Sequence, residues 1–322
     1  MAERAFRWLA RTLCGMSVQE ETPVTTEPAR RPSSRGLVLA AAGVLWMAGM
    51  LWSARATITG RDDAAMAVTS TAYALPGAIS ASLVAGAAVA LAVLALVCRR
   101  GRSPGPAVRF AVTTGSGLLL GLVGAVVIVT INTDGWLYAV VGGTVAAAAT
   151  IGGALAGIRE PRVVAATCWA AIAVFVVGFV LNVLQGPLLN LFGSGSTSAS
   201  QATAASWFSF TQSLLSGIAA GLVAYRVLRR TSGTDVPWPL YALAGAGPGL
   251  LLVLAEGLAR TAGARVLSLA GKVSQLELTV QHMLSSARLN SALIVLFVGA
   301  ITATIALGRT LKPAPDPDPA DG

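Results

Sequence analysis

Eight long runs of apolar residues, separated by short polar segments rich in Arg, Gly and Pro, set the pattern of this chain. They fall at about 36–54, 74–98, 107–131, 136–157, 163–190, 206–228, 238–258 and 290–309. Each is near or above the ~17–25 residues that cross a hydrocarbon core. In that medium a helix satisfies every backbone N–H and C=O within itself. The pattern therefore predicts an all-α polytopic integral membrane bundle of about eight transmembrane helices. The fifth run should bend or end near Gly186-Pro187, because proline cannot donate to the helix ladder. The segment Gly193-Ser-Gly-Ser-Thr-Ser-Ala-Ser-Gln201 reads as a flexible polar linker.

One stretch outside the runs has a regular pattern. Val266, Val273, Val280 and Ala287 recur at one heptad position, and Leu269, Leu276 and Met283 at the other. Three heptads with valine at a and mostly leucine at d form a coiled-coil-like seam. The spacing continues through Asn290, Ile294, Phe297, Ile301 and Thr304, so one helix of about 45 residues, roughly 65–70 Å at 1.5 Å per residue, is sterically allowed. Three readings stand: an amphipathic helix on the membrane or on its neighbours, a self-pairing stalk, or an irregular loop. Leu267, Leu278 and Leu284 widen the apolar stripe and favour the first. The expectation is one amphipathic extracytoplasmic helix over 262–289. It would be entered by a turn near Gly257–Gly263 and fold back over the ends of the spans. Val266, Leu269, Val273, Leu276, Val280 and Met283 form its candidate partner surface.

Composition fits the same class. Of 322 residues, 55% are hydrophobic and 11% charged, against about 25% charged in a soluble domain. The net charge of +9 comes from arginines scattered between apolar runs rather than from one basic surface, so nucleic acid is not an expected partner. Cys14, Cys98 and Cys168 show neither a disulfide framework nor metal-ligand spacing.

The Lys and Arg distribution gives orientation. The tail before residue 36, the Arg99–Arg109 segment, Arg159 with Arg162, Arg226 with Arg229 and Arg230, and Arg309 with Lys312 all fall on one side. The opposite side is basic only at Arg55, Arg61 and in the 260–289 segment. By the positive-inside rule both termini are cytoplasmic, in a multi-pass plasma-membrane protein. Three regions follow: a basic, disordered tail over 1–35, a membrane domain over 36–309, and a disordered Pro/Asp tail over 310–322. Within the first tail, Arg4, Arg7 and Arg11 oppose Phe6, Leu9 and Leu13 on a helix of 3.6 residues per turn. This pattern suits a short helix on an anionic surface or an unstructured leader. Met1 and Met16 are alternative starts.

Candidate chemistry is sparse. Glu256 is the one acid inside a run, with Arg260 four residues on. Ionisable groups at membrane depth mark functional positions, whereas an i,i+4 pair near a helix end is an ordinary structural device. Gly247 and Pro248 lie within Gly245-Ala-Gly-Pro-Gly249 near the middle of the seventh run. A helix broken there would present free carbonyls to a solute or ion; a packing kink is the plainer alternative. Asn182 and Gln185 lie one turn apart and should face other helices, with Gln212 as a candidate partner. The pairs Gly117/Gly121, Gly153/Gly157, Gly217/Gly221 and Gly245/Gly249 predict close helix packing. His282 is the only histidine, no phosphate-binding fingerprint occurs, and the Gly-Ser-Gly sequences at 115–117 and 193–195 lack a base. No catalytic, metal or cofactor-binding residue is expected, and the chain does not read as an enzyme.

The runs Ala147-Ala-Ala-Thr-Ile-Gly-Gly-Ala-Leu-Ala-Gly157, Trp238-Pro-Leu-Tyr-Ala-Leu-Ala-Gly-Ala-Gly-Pro-Gly249 and Thr261-Ala-Gly-Ala-Arg-Val-Leu267 resemble conserved hypothetical membrane proteins of Streptomyces and related actinobacteria. The resemblance covers about residues 36–310. It implies a high-GC Gram-positive cell membrane and carries over no functional residue. Two functions are expected. The first, favoured because a carrier of ions or polar solutes usually needs more polar groups at membrane depth, is a non-enzymatic membrane scaffold or regulator that binds other membrane proteins, or a second copy, through the 260–289 segment. The alternative is a small transporter or channel for an apolar or weakly polar solute or ion, centred on Gly245–Gly249, Glu256 and the Asn182/Gln185 face. The lipid bilayer is a partner in both.

Overall fold

The computed structural model describes residues 34–59, 64–99, 105–130, 136–158, 160–193, 197–232, 236–270 and 275–310. Among them there is no strand. The helices are α1 (Ser34–Thr59), α2 (Ala64–Arg99), α3 (Pro106–Val129), α4 (Trp136–Ala156), α5 (Pro161–Val183), α6 (Gln185–Leu191), α7 (Ser198–Ser232), α8 (Trp238–Ala270) and α9 (Gln275–Gly308). All but α6 are long and apolar enough to cross a membrane. The chain is an integral membrane protein with an all-α bundle, as the apolar runs predict. Most of the two predicted tails, residues 1–33 and 311–322, lies outside the described residues; Ser34 and Arg35 of the first already belong to α1.

Several spans turn small residues inward and large apolar ones outward, whereas α1 buries Leu39, Met47 and Leu51. On α3, Gly117, Gly121, Gly124 and Ile128 are buried, while Leu119, Val123 and Val126 are exposed. Lipid solvates leucine as well as a neighbouring helix does. Helices therefore associate through close backbone approach at small residues. All four predicted glycine pairs serve this purpose: Gly117, Gly121, Gly153 and Gly157 join α3 to α4, Gly217 and Gly221 join α7 to α9, and Gly245 and Gly249 join α8 to α9.

The helices pack as two groups that divide at residues 159–160. Within the first, α1 packs on α2, and α2, α3 and α4 pack on one another; within the second, α5 packs on α7 and α8, while α7, α8 and α9 pack on one another. The groups meet chiefly where α2 and α4 lie against α8. At the end of the bundle where α1 begins and α9 ends, Arg109 of α3 donates to the Ile158 carbonyl beyond α4. There Tyr225 of α7 also bonds the Thr310 hydroxyl beyond α9, at 3.3 Å.

Several elements differ from expectation. The fifth run ends at Val183, and α6 carries Pro187 past a break at Leu184, close to the predicted bend. The serine-rich linker is half helix: α7 starts at Ser198, with Thr197 Oγ1 accepting from the Ser200 backbone N–H at 3.3 Å as a cap. The expected turn at Gly257–Gly263 is absent, since α8 runs unbroken to Ala270. Alanine, leucine and arginine around these glycines outweigh a cost of about 1 kcal/mol per glycine. The heptad stretch is thus divided between the end of α8 and the start of α9, and does not form a separate helix. The side chains of Val266, Leu269, Val273, Leu276 and Val280 lie outside the described set. Met283 is 70% exposed, and Phe297 and Ile301 continue its outward stripe along α9. That stripe lies on the outside of the bundle, so at Met283 the seam does not cap the spans.

Candidate functional site

Glu256 is the one buried charged residue among the described residues, at 4% exposure. It lies five residues inside the end of the Trp238–Thr261 span, about 7–8 Å below it at 1.5 Å per residue. Three side chains converge on its carboxylate. Arg288 Nε of α9 donates to Oε2 at 2.8 Å, Arg260 Nε donates to Oε1 at 3.4 Å, and the Ser285 hydroxyl donates to Oε1. Arg260 Nε also reaches Ser285 Oγ at 2.7 Å. The network clamps α8 to α9. Both arginines are partly exposed, so the desolvation cost of the cluster falls mainly on Glu256.

Below this cluster lies a cavity of about 320 Å³ between α2, α5, α7, α8 and α9. Its wall is mostly apolar, with Val174, Leu252, Leu284 and Val295 among the lining residues; Ser209, Gln212, Ser213 and Ser216 of α7, Ser291 and Arg288 of α9 and Ser80 of α2 add polar groups. The Ser80 and Ser213 hydroxyls donate to carbonyls of their own helices, Gly77 at 2.9 Å and Ser209 at 2.8 Å. Their oxygen lone pairs stay available to an occupant. The volume falls in the range of small-molecule sites, about 300–1,000 Å³.

The structure keeps some sequence-predicted residues at this site and removes others. Glu256 is central, and its Arg260 pair forms as expected. Arg288, Ser285 and the α7 serines were not anticipated. Arg288 and Ser285 belonged to a stretch read as a separate surface helix, and serines spaced along an apolar run carry no distinctive motif. Asn182 and Gln185 do not face other helices. Both are exposed where α5 ends, so headgroups or water supply their partners. Gln212 instead lines the cavity beside Gly178 of α5. Gly247 and Pro248 are buried in a continuous helix. The proposed break does not occur, because the glycines around Pro248 are used for packing: Gly247 on Thr167 of α5, Gly245 and Gly249 on α9. The proline that lines the cavity is Pro76 of α2, inside the second apolar run. No group of His, Cys, Asp and Glu able to hold a metal occurs among the described residues.

Comparisons with protein-family models, with curated proteins and with solved structures return no match.

Proposed function

We propose that the protein is a non-enzymatic carrier of the plasma membrane that takes a small polar solute into the cavity beside Glu256. One observation carries this reading: a nearly inaccessible carboxylate adjoins a cavity of solute size whose largely apolar wall also carries Ser80, Ser213, Ser216, Gln212 and Ser291. Burying such groups costs free energy, and ionisable groups at this depth mark solute paths. Pro76 and Pro248 lie in α2 and α8, the two helices through which the halves chiefly meet, so bending at either would change access to the cavity. The solute site replaces Gly245–Gly249 as the centre of the transporter reading.

The test is thermal unfolding of the purified protein in detergent against neutral, cationic and anionic small solutes. At least one class should raise Tm. Ser291→Phe, which fills the cavity, should keep a cooperative transition and abolish the rise. If no class shifts Tm, the reading fails.

The arginine distribution supports placing both termini in the cytoplasm, with the cavity toward the outside. In a variant whose three cysteines are replaced by serine, a single Cys at Ser196 or Thr133 should label from outside in intact cells. A Cys at Gly101 or Thr231 should not, and labelling at 101 would reverse the orientation. Partner binding through the 260–289 segment is a second reading, favoured by the exposure of Met283. It requires Met283→Asp to reduce an oligomeric or co-purified mass.

A further inference from the structure

The two helix groups share one packing scheme. In the first, Gly86 of α2 and Gly117 of α3 back onto the Ala149 carbonyl of α4, and a Cβ on either would overlap that oxygen. In the second, Gly221 of α7 and Gly245 of α8 back onto the Gly299 carbonyl of α9 in the same way. Four residues after Gly117, Gly121 meets Ala146; four after Gly245, Gly249 meets Leu296. Ala146 precedes Ala149 by three residues, as Leu296 precedes Gly299. The chain order is also the same, α1–α2–α3–α4 against α5–α7–α8–α9, with α6 inserted in a connection. Repeats in parallel orientation are one of the two ways membrane carriers are built.

These anchors fix a register between the halves. Counting along the helices places Ala78 opposite Ser213, Ala81 opposite Ser216, Ile128 opposite Glu256, Tyr138 opposite Arg288 and Val141 opposite Ser291. All five first-half residues are buried in a single apolar core. At these positions, then, the fold is satisfied by apolar side chains. The second half carries hydroxyls and an ion pair there, around a cavity, at a desolvation cost that packing does not require.

We infer that the chain is two copies of one four-helix unit, and that the polar positions of the second copy form a site for a small carboxylate solute docked on Arg288. The inference rests on the solute-site reading above. Arg288 holds Glu256 through Nε, and no described hydrogen bond uses its terminal nitrogens. The guanidinium fork matches a carboxylate in a bidentate geometry that a hydroxyl or an amine cannot supply. Two guanidiniums meet one carboxylate here, so among the described residues the cluster carries one uncompensated positive charge. A bound carboxylate neutralises it. Ser216, Ser291 and Gln212 then face the rest of the solute.

The experiment measures thermal unfolding of the full chain in detergent at matched ionic strength, with sodium lactate and sodium succinate against choline chloride and glycerol. The proteins are the wild type, Ser213→Ala/Ser216→Ala and Arg288→Lys. The carboxylates should raise the wild-type Tm, and choline and glycerol should not. The double variant carries the first copy's alanines. It should unfold at the wild-type temperature without solute and lose the carboxylate rise. Arg288→Lys keeps the charge without the fork, and should weaken the apparent affinity at least tenfold. A rise with choline or glycerol and none with carboxylates overturns the carboxylate assignment while leaving a solute site standing. No rise with any probe overturns both. A double variant that unfolds much earlier than wild type overturns the repeat argument, because the serines would then be holding the fold.

Discussion

Arg288→Met lowers the unfolding free energy of the detergent-solubilised protein by about 3 kcal/mol. Breaking a buried ion pair by removing one partner costs about 3–5 kcal/mol, because the remaining charge stays desolvated. The charge left behind is Glu256, at 4% exposure. It keeps Ser285 and the longer contact to Arg260, which puts the loss toward the lower end of that range. The converse substitution, Glu256→Ile, should cost less, since both arginines are partly exposed and can turn to solvent or headgroups. Combining Glu256→Ile with Arg288→Tyr installs the apolar pair of the first half, Ile128 and Tyr138. Apolar replacement of a whole buried pair is often neutral or stabilising by about 1–4 kcal/mol. The double variant should therefore recover most of the Arg288→Met loss while binding no solute. Chemical unfolding in mixed micelles reads all three. Additive losses in the double variant would show that the two residues do not act as a pair.

The second large effect is steric. Gly86→Ala and Gly245→Ala each put a methyl group into a backbone carbonyl, Ala149 in one case and Gly299 in the other. Overpacking of this kind costs about 1–3 kcal/mol, and more where the obstructing atom cannot move. These carbonyls are fixed within helices, so values at or above the top of that range are expected. Gly115→Ala and Gly143→Ala are the controls: beyond the local helix backbone and the chain neighbours, nothing lies within 4 Å of a Cβ at either position. They should leave stability unchanged or raise it by up to about 1 kcal/mol, the helix-propensity gain of alanine over glycine. A similar loss at all four positions would remove the close-packing account of the glycines.

Both effects bear on what the sequence shows by itself. The eight spans are legible because lipid requires long apolar helices, and that requirement is written continuously along the chain. Glycine pairs are legible for the same reason, as close approach needs a small residue every turn. Helix ends are less so. The start of α2 at Ala64, of α7 at Ser198 and of α9 at Gln275 all precede the apolar runs, because polar turns extend a helix beyond the hydrocarbon without a hydropathy signal. The site was half legible. Glu256 stands out as an acid in an apolar run, but its stronger partner Arg288 lies thirty-two residues away on another helix. Only the α8–α9 packing brings them together. Gly245–Gly249 misled for a physical reason: glycine beside proline weakens a helix and equally allows a neighbour to approach, and here the second use prevails.

A cysteine-accessibility measurement at Ser216 tests the central claim most directly. In a variant with Cys14, Cys98 and Cys168 replaced by serine, Ser216→Cys should react with a small water-soluble thiol reagent added to proteoliposomes, and sodium succinate should slow that reaction. Ala81→Cys, at the matching position of the first half, lies in a dry apolar core and should not react. Equal inertness of the two cysteines would contradict a wet solute site beside Glu256.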